Sequence, residues 1–266
     1  NVVMKRFLTQ TLFFATLLLA FSSQISAQTT PPPQFSVGTG FIVADGYLLT
    51  AQHVLRNQDS IWVGPIDSKR WVKAEIVKYD NQLDLALIKA NVSGSALVFA
   101  NWSDVPTGLE VMAIGFPQPR LQGLSKKITQ GLVNGNRSDR NESFDAGFFQ
   151  FSAEVQVGNS GGPVLAPDGL VVGMVQKKLD ALSVAERTHD LPVNVSYGLK
   201  SSEILAFLKG TPVDPIVKSL SLSTNLRPYQ VFSLKQASVF AVVGRKASTT
   251  PTPPTSASGS ENSNGP

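Results

Sequence analysis

With 266 residues, 42% of them hydrophobic and only 16% charged, the chain can bury a real core and does not read as a long, solvated helical protein. Its formal charge of +4 falls to +2, 21 basic against 19 acidic residues, once Lys5 and Arg6 are assigned to an export signal, and so weak and scattered an excess excludes a nucleic-acid footprint. There is no cysteine, which excludes disulfides, cysteine zinc sites and a thiol nucleophile.

Met4-Lys5-Arg6 is a basic start. An apolar stretch follows from Phe7 to Phe21, broken only by Thr9, Gln10, Thr11 and Thr16, and then small and polar residues from Ser22 to Ala27. This pattern predicts a cleavable export signal over residues 1–27, with Ala27 at the cut. The apolar stretch is shorter than the ~20 residues a spanning helix needs, so no stable membrane association is expected after cleavage. An exported chain without cysteine points to a bacterial protein, periplasmic or secreted.

Residues 28–34, with Pro31-Pro32-Pro33, read as a stiff leader. The folded region is expected over 35–210. It is a series of short β-branched runs: Gly40–Val43, Tyr47–Thr50, Ser60–Val63, Lys73–Val77, Leu85–Ile88, Glu110–Ile114 and Leu170–Val175. Turn signals such as Ala44-Asp45-Gly46 and Pro167-Asp168-Gly169 separate several of them, a spacing that predicts an all-β sandwich or barrel. Ser201–Lys209 is the one clear helix, with Ser201 or Ser202 as cap, Ile204, Leu205 and Leu208 as apolar face and Gly210 as stop. A short turn is expected at 51–55. Residues 211–246 read as a C-terminal extension holding one apolar run, Val239–Val243. Residues 247–266 are Ser/Thr/Pro-rich and expected to be disordered.

The strongest chemical signal is Gly158-Asn159-Ser160-Gly161-Gly162-Pro163. A serine hydroxyl needs a base within hydrogen-bond reach and N–H donors aimed at the oxyanion it creates. Flanking glycines allow the tight backbone that such donors require. Gly38-Thr39-Gly40-Phe41 and Leu49-Thr50-Ala51-Gln52-His53-Val54 place one of only two histidines in a turn after an apolar strand. Asp84-Leu85-Ala86-Leu87 puts an acid at the start of a buried strand, where it can orient an imidazole. Asp80 stands outside that strand start. Two histidines without cysteine or clustered acids argue against a metal site, and no cofactor is called for.

Together these motifs resemble the trypsin-like superfamily, and most closely the protease domain of bacterial HtrA-type (DegP-like) enzymes. The resemblance spans about residues 36 to 209 and extends to Ile128–Val133, Phe149–Ser152 and Val195–Lys200. It implies two six-stranded antiparallel β-barrels of the chymotrypsin type with a short C-terminal helix. It implies a serine endopeptidase acting on proteins or peptides through an acyl-enzyme, with His53, Asp84 and Ser160 as triad and the N–H groups of Gly158 and Ser160 as oxyanion hole. Gln176, Lys177 and Lys178 are expected along the substrate backbone. Glu154, six residues before Ser160, is a candidate acid at the pocket floor. HtrA-type enzymes usually carry PDZ domains, and the residues after Lys209 are too few for one, so a stand-alone peptidase is expected. Asn159 replaces the Asp that many trypsin-like zymogens pair with a new N-terminus, which implies that this activation is not used.

Two rival readings remain. Gly158–Gly162 also fits the Gly-x-Ser-x-Gly elbow of α/β-hydrolase esterases, with His189 as base, although Gly161-Gly162-Pro163 opens a helix poorly. The other rival is a catalytically silent, protease-like binding protein.

Overall fold

The apolar runs of the sequence form strands, and many bury both faces. The computed structural model describes residues 34–66, 69–136, 147–176 and 195–247. The expected export signal, the Pro-rich leader up to residue 33, Lys177, Lys178, His189 and the tail from 248 lie outside the described residues.

Strands β1 (Gln34–Ala44), β2 (Tyr47–Ala51), β3 (Ser60–Ile66), β4 (Arg70–Asp80) and β5 (Leu85–Ala90) come from the N-terminal half. A sixth strand, Val239–Lys246 (β14), comes from the far end of the described chain. They form a closed barrel in the order β1-β14-β3-β4-β5-β2. After a two-residue strand β6 (Phe99–Ala100), the second barrel is built from β7 (Glu110–Gly115), β8 (Lys127–Asn136), β9 (Phe148–Phe151), β10 (Pro163–Leu165), β11 (Val171–Val175) and β12 (Ser196–Lys200). Its order is β10-β7-β8-β9-β12-β11, closed by the pairing of β10 with β11. Strand β13 (Val217–Lys218) joins β6, and both continue from β11 in parallel. The two antiparallel six-stranded barrels are the fold expected from the sequence.

Alternation explains the continuous apolar runs. In β1, β2 and β5 the residues Ile42, Leu48, Ala86 and Ile88 fill the first barrel. Their neighbours Phe41, Leu49, Leu85 and Leu87 join a second cluster with Phe99, Met112, Ile114 and Leu199 from the other barrel. Val111, Ala113, Val133, Phe149, Phe151 and Val172 fill that barrel. Successive side chains of a strand point to opposite faces, so a strand packed on both faces reads as a nearly continuous apolar run rather than an alternating one.

The same rule incorporates β14. Phe240 and Val242 enter the first barrel, while Val239 and Ala241 join the shared cluster. The strand pairs with β1 from Gln34↔Lys246 to Phe41↔Val239 and with β3 from Ala241↔Gly64 to Arg245↔Ser60. The domain boundary at 210 therefore needs correction: the compact body runs to Ala247, because the barrel closes only with this strand.

Three α-helices are present among the described residues: α1 (Pro119–Gln122), α2 (Ser201–Leu208) and α3 (Pro228–Lys235). Helix α2 was expected, but its cap differs. Ser201 Oγ donates to the Ala100 carbonyl at 2.9 Å rather than capping the helix, and Phe207 rather than Leu205 completes its buried face with Ile204 and Leu208. Lys78 Nζ on β4 donates to the Phe207 carbonyl at 2.6 Å, a cation at a helix C-terminus. Lys126 Nζ donates to the Gln236 carbonyl at 2.6 Å and ties the approach to β8 to the approach to β14, and burial lowers its pKa.

A chain ending at Lys235 would leave the edges of β1 and β3 unpaired and would remove from the core four apolar side chains, each contributing on the order of 1–3 kcal/mol when buried. Circular-dichroism melting is expected to show loss of the cooperative transition of the full chain.

Candidate active site

The first barrel presents His53 and Asp84. Strand β2 ends at Ala51 and passes into a 3₁₀ turn, Gln52–Val54, which lifts His53 off the barrel. Asp84 immediately precedes β5, with φ of 49°. That left-handed conformation is uncommon for a residue with a Cβ but is tolerated best by Asp and Asn. Asp80, the nearby acid, accepts the Gln82 and Leu83 N–H groups and so forms the tight turn that delivers Asp84.

Both carboxylate oxygens of Asp84 are used on one partner. Oδ1 accepts the His53 backbone N–H at 2.7 Å and Oδ2 meets His53 Nδ1 at 2.6 Å. The Gln52 N–H also reaches the Asp84 carbonyl at 3.1 Å. These short contacts fix the ring plane and leave Nε2 as the free ring nitrogen. The imidazole side chain is 34% exposed and the carboxylate 22%.

Ser160 comes from the second barrel, on the loop between the Phe151 end of β9 and β10. It is 8% exposed. Its carbonyl accepts the Thr39 N–H at 2.9 Å, and the next N–H, of Gly161, donates to the Val175 carbonyl at 2.8 Å. At Gly161, φ is 86°, and an added Cβ would lie 2.6 Å from the Ala51 nitrogen, two residues before His53. The close approach of the serine loop to the turn that carries the histidine thus depends on glycine. After Ser160 the chain enters β10, not a helix. In this all-β body the loop is no α/β-hydrolase elbow, and that rival reading is set aside.

Several backbone groups around Ser160 have partners. Gln118 N–H donates to the Val157 carbonyl at 2.7 Å, Asn159 N–H to Gln156 at 2.9 Å and Gly162 N–H to Asn159 at 2.9 Å. Thr39 Oγ1 donates to the Gly158 carbonyl at 2.6 Å. Among the described residues, the N–H groups of Gly158 and Ser160 have no acceptor. Buried backbone donors are rarely left so. Gly158 has φ of 103°, and a Cβ there would overlap the Phe116 carbonyl.

The remaining candidates fall into different places. Gln176 is 5% exposed, and its Nε2 donates to the Leu83 carbonyl at 3.2 Å, so its side chain braces the approach to Asp84. Glu154 is exposed; its Oε1 accepts from Gln156 Nε2 at 2.7 Å, an arrangement unlike an acid sunk at a pocket floor. Asn159 is 4% exposed and its Oδ1 has no donor among the described residues. Sequence reasoning missed Thr39 and the Phe116–Gln118 segment. Thr39 lies inside a quoted motif, but no local signal assigns its hydroxyl to a carbonyl 119 residues away. Among the described residues no helix is long and apolar enough to cross a membrane.

A family model described as "Trypsin-like peptidase domain" matches residues 38–174. An uncharacterized protein of Sinorhizobium fredii is 34% identical over 185 residues, covering 69% of this chain and 29% of its own length. A "Probable periplasmic serine endoprotease DegP-like" of Marinomonas is 36% identical over 159 residues, covering 58% of this chain and 33% of its own. The crystal structure of a serine endoprotease from Yersinia pestis superposes with a TM-score of 0.51 at 25% identity, covering 64% of this chain and 56% of that one. The chain thus spans about a third of the length of the two sequence relatives.

Asn159→Asp would bury a carboxylate with no cation paired to it among the described residues. Burial favours its neutral form, so its pKa rises on folding. The variant should match the native chain in acid and lose stability as pH climbs through and above the ordinary Asp range near ~4. A deficit of about 3 kcal/mol at neutral pH is expected, read from thermal unfolding of both chains at pH 4 and pH 8.

Proposed function

Because this chain belongs to the trypsin-like peptidase domain family, we propose that it is a serine endopeptidase that hydrolyses peptide bonds of protein substrates through His53, Asp84 and Ser160. The observation that carries the reading is the paired contact of Asp84 with His53, at 2.7 Å to the backbone and 2.6 Å to Nδ1. It leaves Nε2 as the only ring nitrogen able to take a proton.

Ser160 Oγ attacks the scissile carbonyl carbon while His53 Nε2 removes its proton. Asp84 holds the tautomer and steadies the imidazolium; the proton stays on the ring. The oxyanion is held by the N–H groups of Gly158 and Ser160, which flank Asn159 and have no acceptor among the described residues. Collapse of the tetrahedral species breaks the C–N bond, and His53 returns its proton to the leaving amine. Water, deprotonated by the same nitrogen, then attacks the acyl carbon; the bond to Ser160 Oγ breaks and His53 returns the proton to that oxygen. Gln176 serves the substrate through its main-chain carbonyl, since its N–H donates to the Tyr197 carbonyl at 2.9 Å and its carboxamide is engaged at Leu83. The preference for the residue before the scissile bond is not set by Glu154, which is exposed. We also take the chain to be exported, supported by its basic-apolar-small N-terminus and by relatives named as periplasmic.

Ser160→Ala and His53→Ala are expected to lower peptide cleavage by roughly 10⁴- to 10⁶-fold, and Asp84→Asn by roughly 10⁴-fold. Fluorophosphonate labelling should be rapid in the native chain and absent in Ser160→Ala. Native-like cleavage by Ser160→Ala would refute the assignment.

A further inference from the structure

Thr39 lies on β1, in the first barrel, and is fully buried. Every polar group it has is engaged. Its N–H donates to the Ser160 carbonyl at 2.9 Å. Its carbonyl accepts from Thr50 Oγ1 at 2.8 Å. Its hydroxyl accepts the Phe116 N–H at 3.2 Å and donates to the Gly158 carbonyl at 2.6 Å. Phe116 has only that N–H to give, so the hydroxyl proton is directed to Gly158.

Gly158 sits between two peptide planes. In the one before it, the Val157 carbonyl is held by Gln118 N–H at 2.7 Å. In the one after it, the Gly158 carbonyl is held by Thr39. A glycine at φ of 103° has no Cβ to restrict its rotation, so these two anchors determine where its N–H points. The N–H lies opposite the Val157 carbonyl across a planar peptide. Gln118 itself has φ of 42°, a left-handed geometry that costs energy for a residue with a side chain and that aims its N–H at Val157.

We propose that Thr39 is a positioning residue for catalysis: its hydroxyl locks the Gly158 peptide so that the N–H of Gly158 faces the developing oxyanion. The inference rests on the triad and oxyanion hole proposed above. Without the hydroxyl, the Gly158 carbonyl and the Phe116 N–H are both buried and unpaired. The loop then gains by rotating to find other partners, and its donor leaves the line of the oxyanion. The donor is worth far more against the developing oxyanion than against the neutral carbonyl of the bound substrate, so the effect falls on the transition state.

The test compares Thr39→Val, which keeps the shape and loses the hydroxyl, with Thr39→Ser, which keeps the hydroxyl. Three quantities are measured: kcat and KM for a peptide the native chain cleaves, affinity for the matching peptide boronic acid, and ground-state affinity of that peptide in a Ser160→Ala background with and without Thr39→Val. Thr39→Val should lower kcat and boronate affinity by roughly tenfold to a hundredfold, less than deletion of a whole oxyanion donor. KM and ground-state affinity should stay within about twofold of native, since an interaction made only in the transition state leaves them unchanged. Thr39→Ser should stay near native. If Thr39→Val does not fold, Thr39→Ala and Thr39→Ser, which differ only in the hydroxyl, replace the pair. Native kcat in Thr39→Val, an equal loss in Thr39→Ser, or a parallel loss of ground-state affinity would overturn the proposal. Failure of the underlying triad looks different: native-like cleavage by Ser160→Ala, with no boronate capture by the native chain.

Discussion

Strand β1 is hydrogen-bonded along both edges, to β14 on one side and β2 on the other, and the serine loop of the second barrel hangs from it at Thr39. A strand with one open edge can twist, fray or slip. A strand held in register on both sides keeps its N–H and C=O vectors fixed, and Thr39 transmits that rigidity to Ser160 and Gly158 through two short hydrogen bonds. The same hairpin runs on through β2 into the turn that carries His53. The proposed nucleophile and base are thus referred to one piece of sheet, although they belong to different barrels. Closure of the first barrel by β14 is therefore a condition on the site as well as on stability.

The His53–Asp84 contact shows how local geometry is offset by electrostatics. A positive φ at Asp84 is unfavourable alone. It is sustained because both carboxylate oxygens and the main-chain carbonyl of that residue are engaged by Gln52 and His53. Gln176 adds a brace from the second barrel to the Leu83 carbonyl. The acid is over-determined by its surroundings, as strained residues at working sites tend to be.

Much of this was legible in the sequence. The strand cores at Gly40–Val43, Leu85–Ile88 and Glu110–Ile114 lie within observed strands, because runs packed on both faces cannot be mistaken for amphipathic helices once turns bound them. The His53–Asp84 pairing was legible through motif order. Strand β14 was read only as an apolar run. Nothing local distinguishes a barrel strand from any other short apolar segment, and its partners lie about two hundred residues away. Helix α3 was missed because only Val231 of its eight residues is buried, which leaves almost no apolar stripe to find. Ser201 looked like a cap because caps are a local rule, yet its hydroxyl goes to Ala100, a partner fixed by tertiary packing.

Thr39 and Gln176 illustrate why polar roles resist sequence reading more than apolar ones. An apolar side chain is satisfied by any close neighbour, so periodicity alone assigns its face. A buried hydroxyl or carboxamide is satisfied only by a particular donor or acceptor at a particular angle, and that partner is set by the whole fold. Leaving either group unpaired would cost on the order of 1–3 kcal/mol, comparable with burying a leucine. The fold must therefore specify these contacts as strictly as its core. In this chain they converge on the carbonyls of Gly158 and Leu83, so the constraint that makes them costly to lose is the one that holds the serine loop and the approach to Asp84 in place.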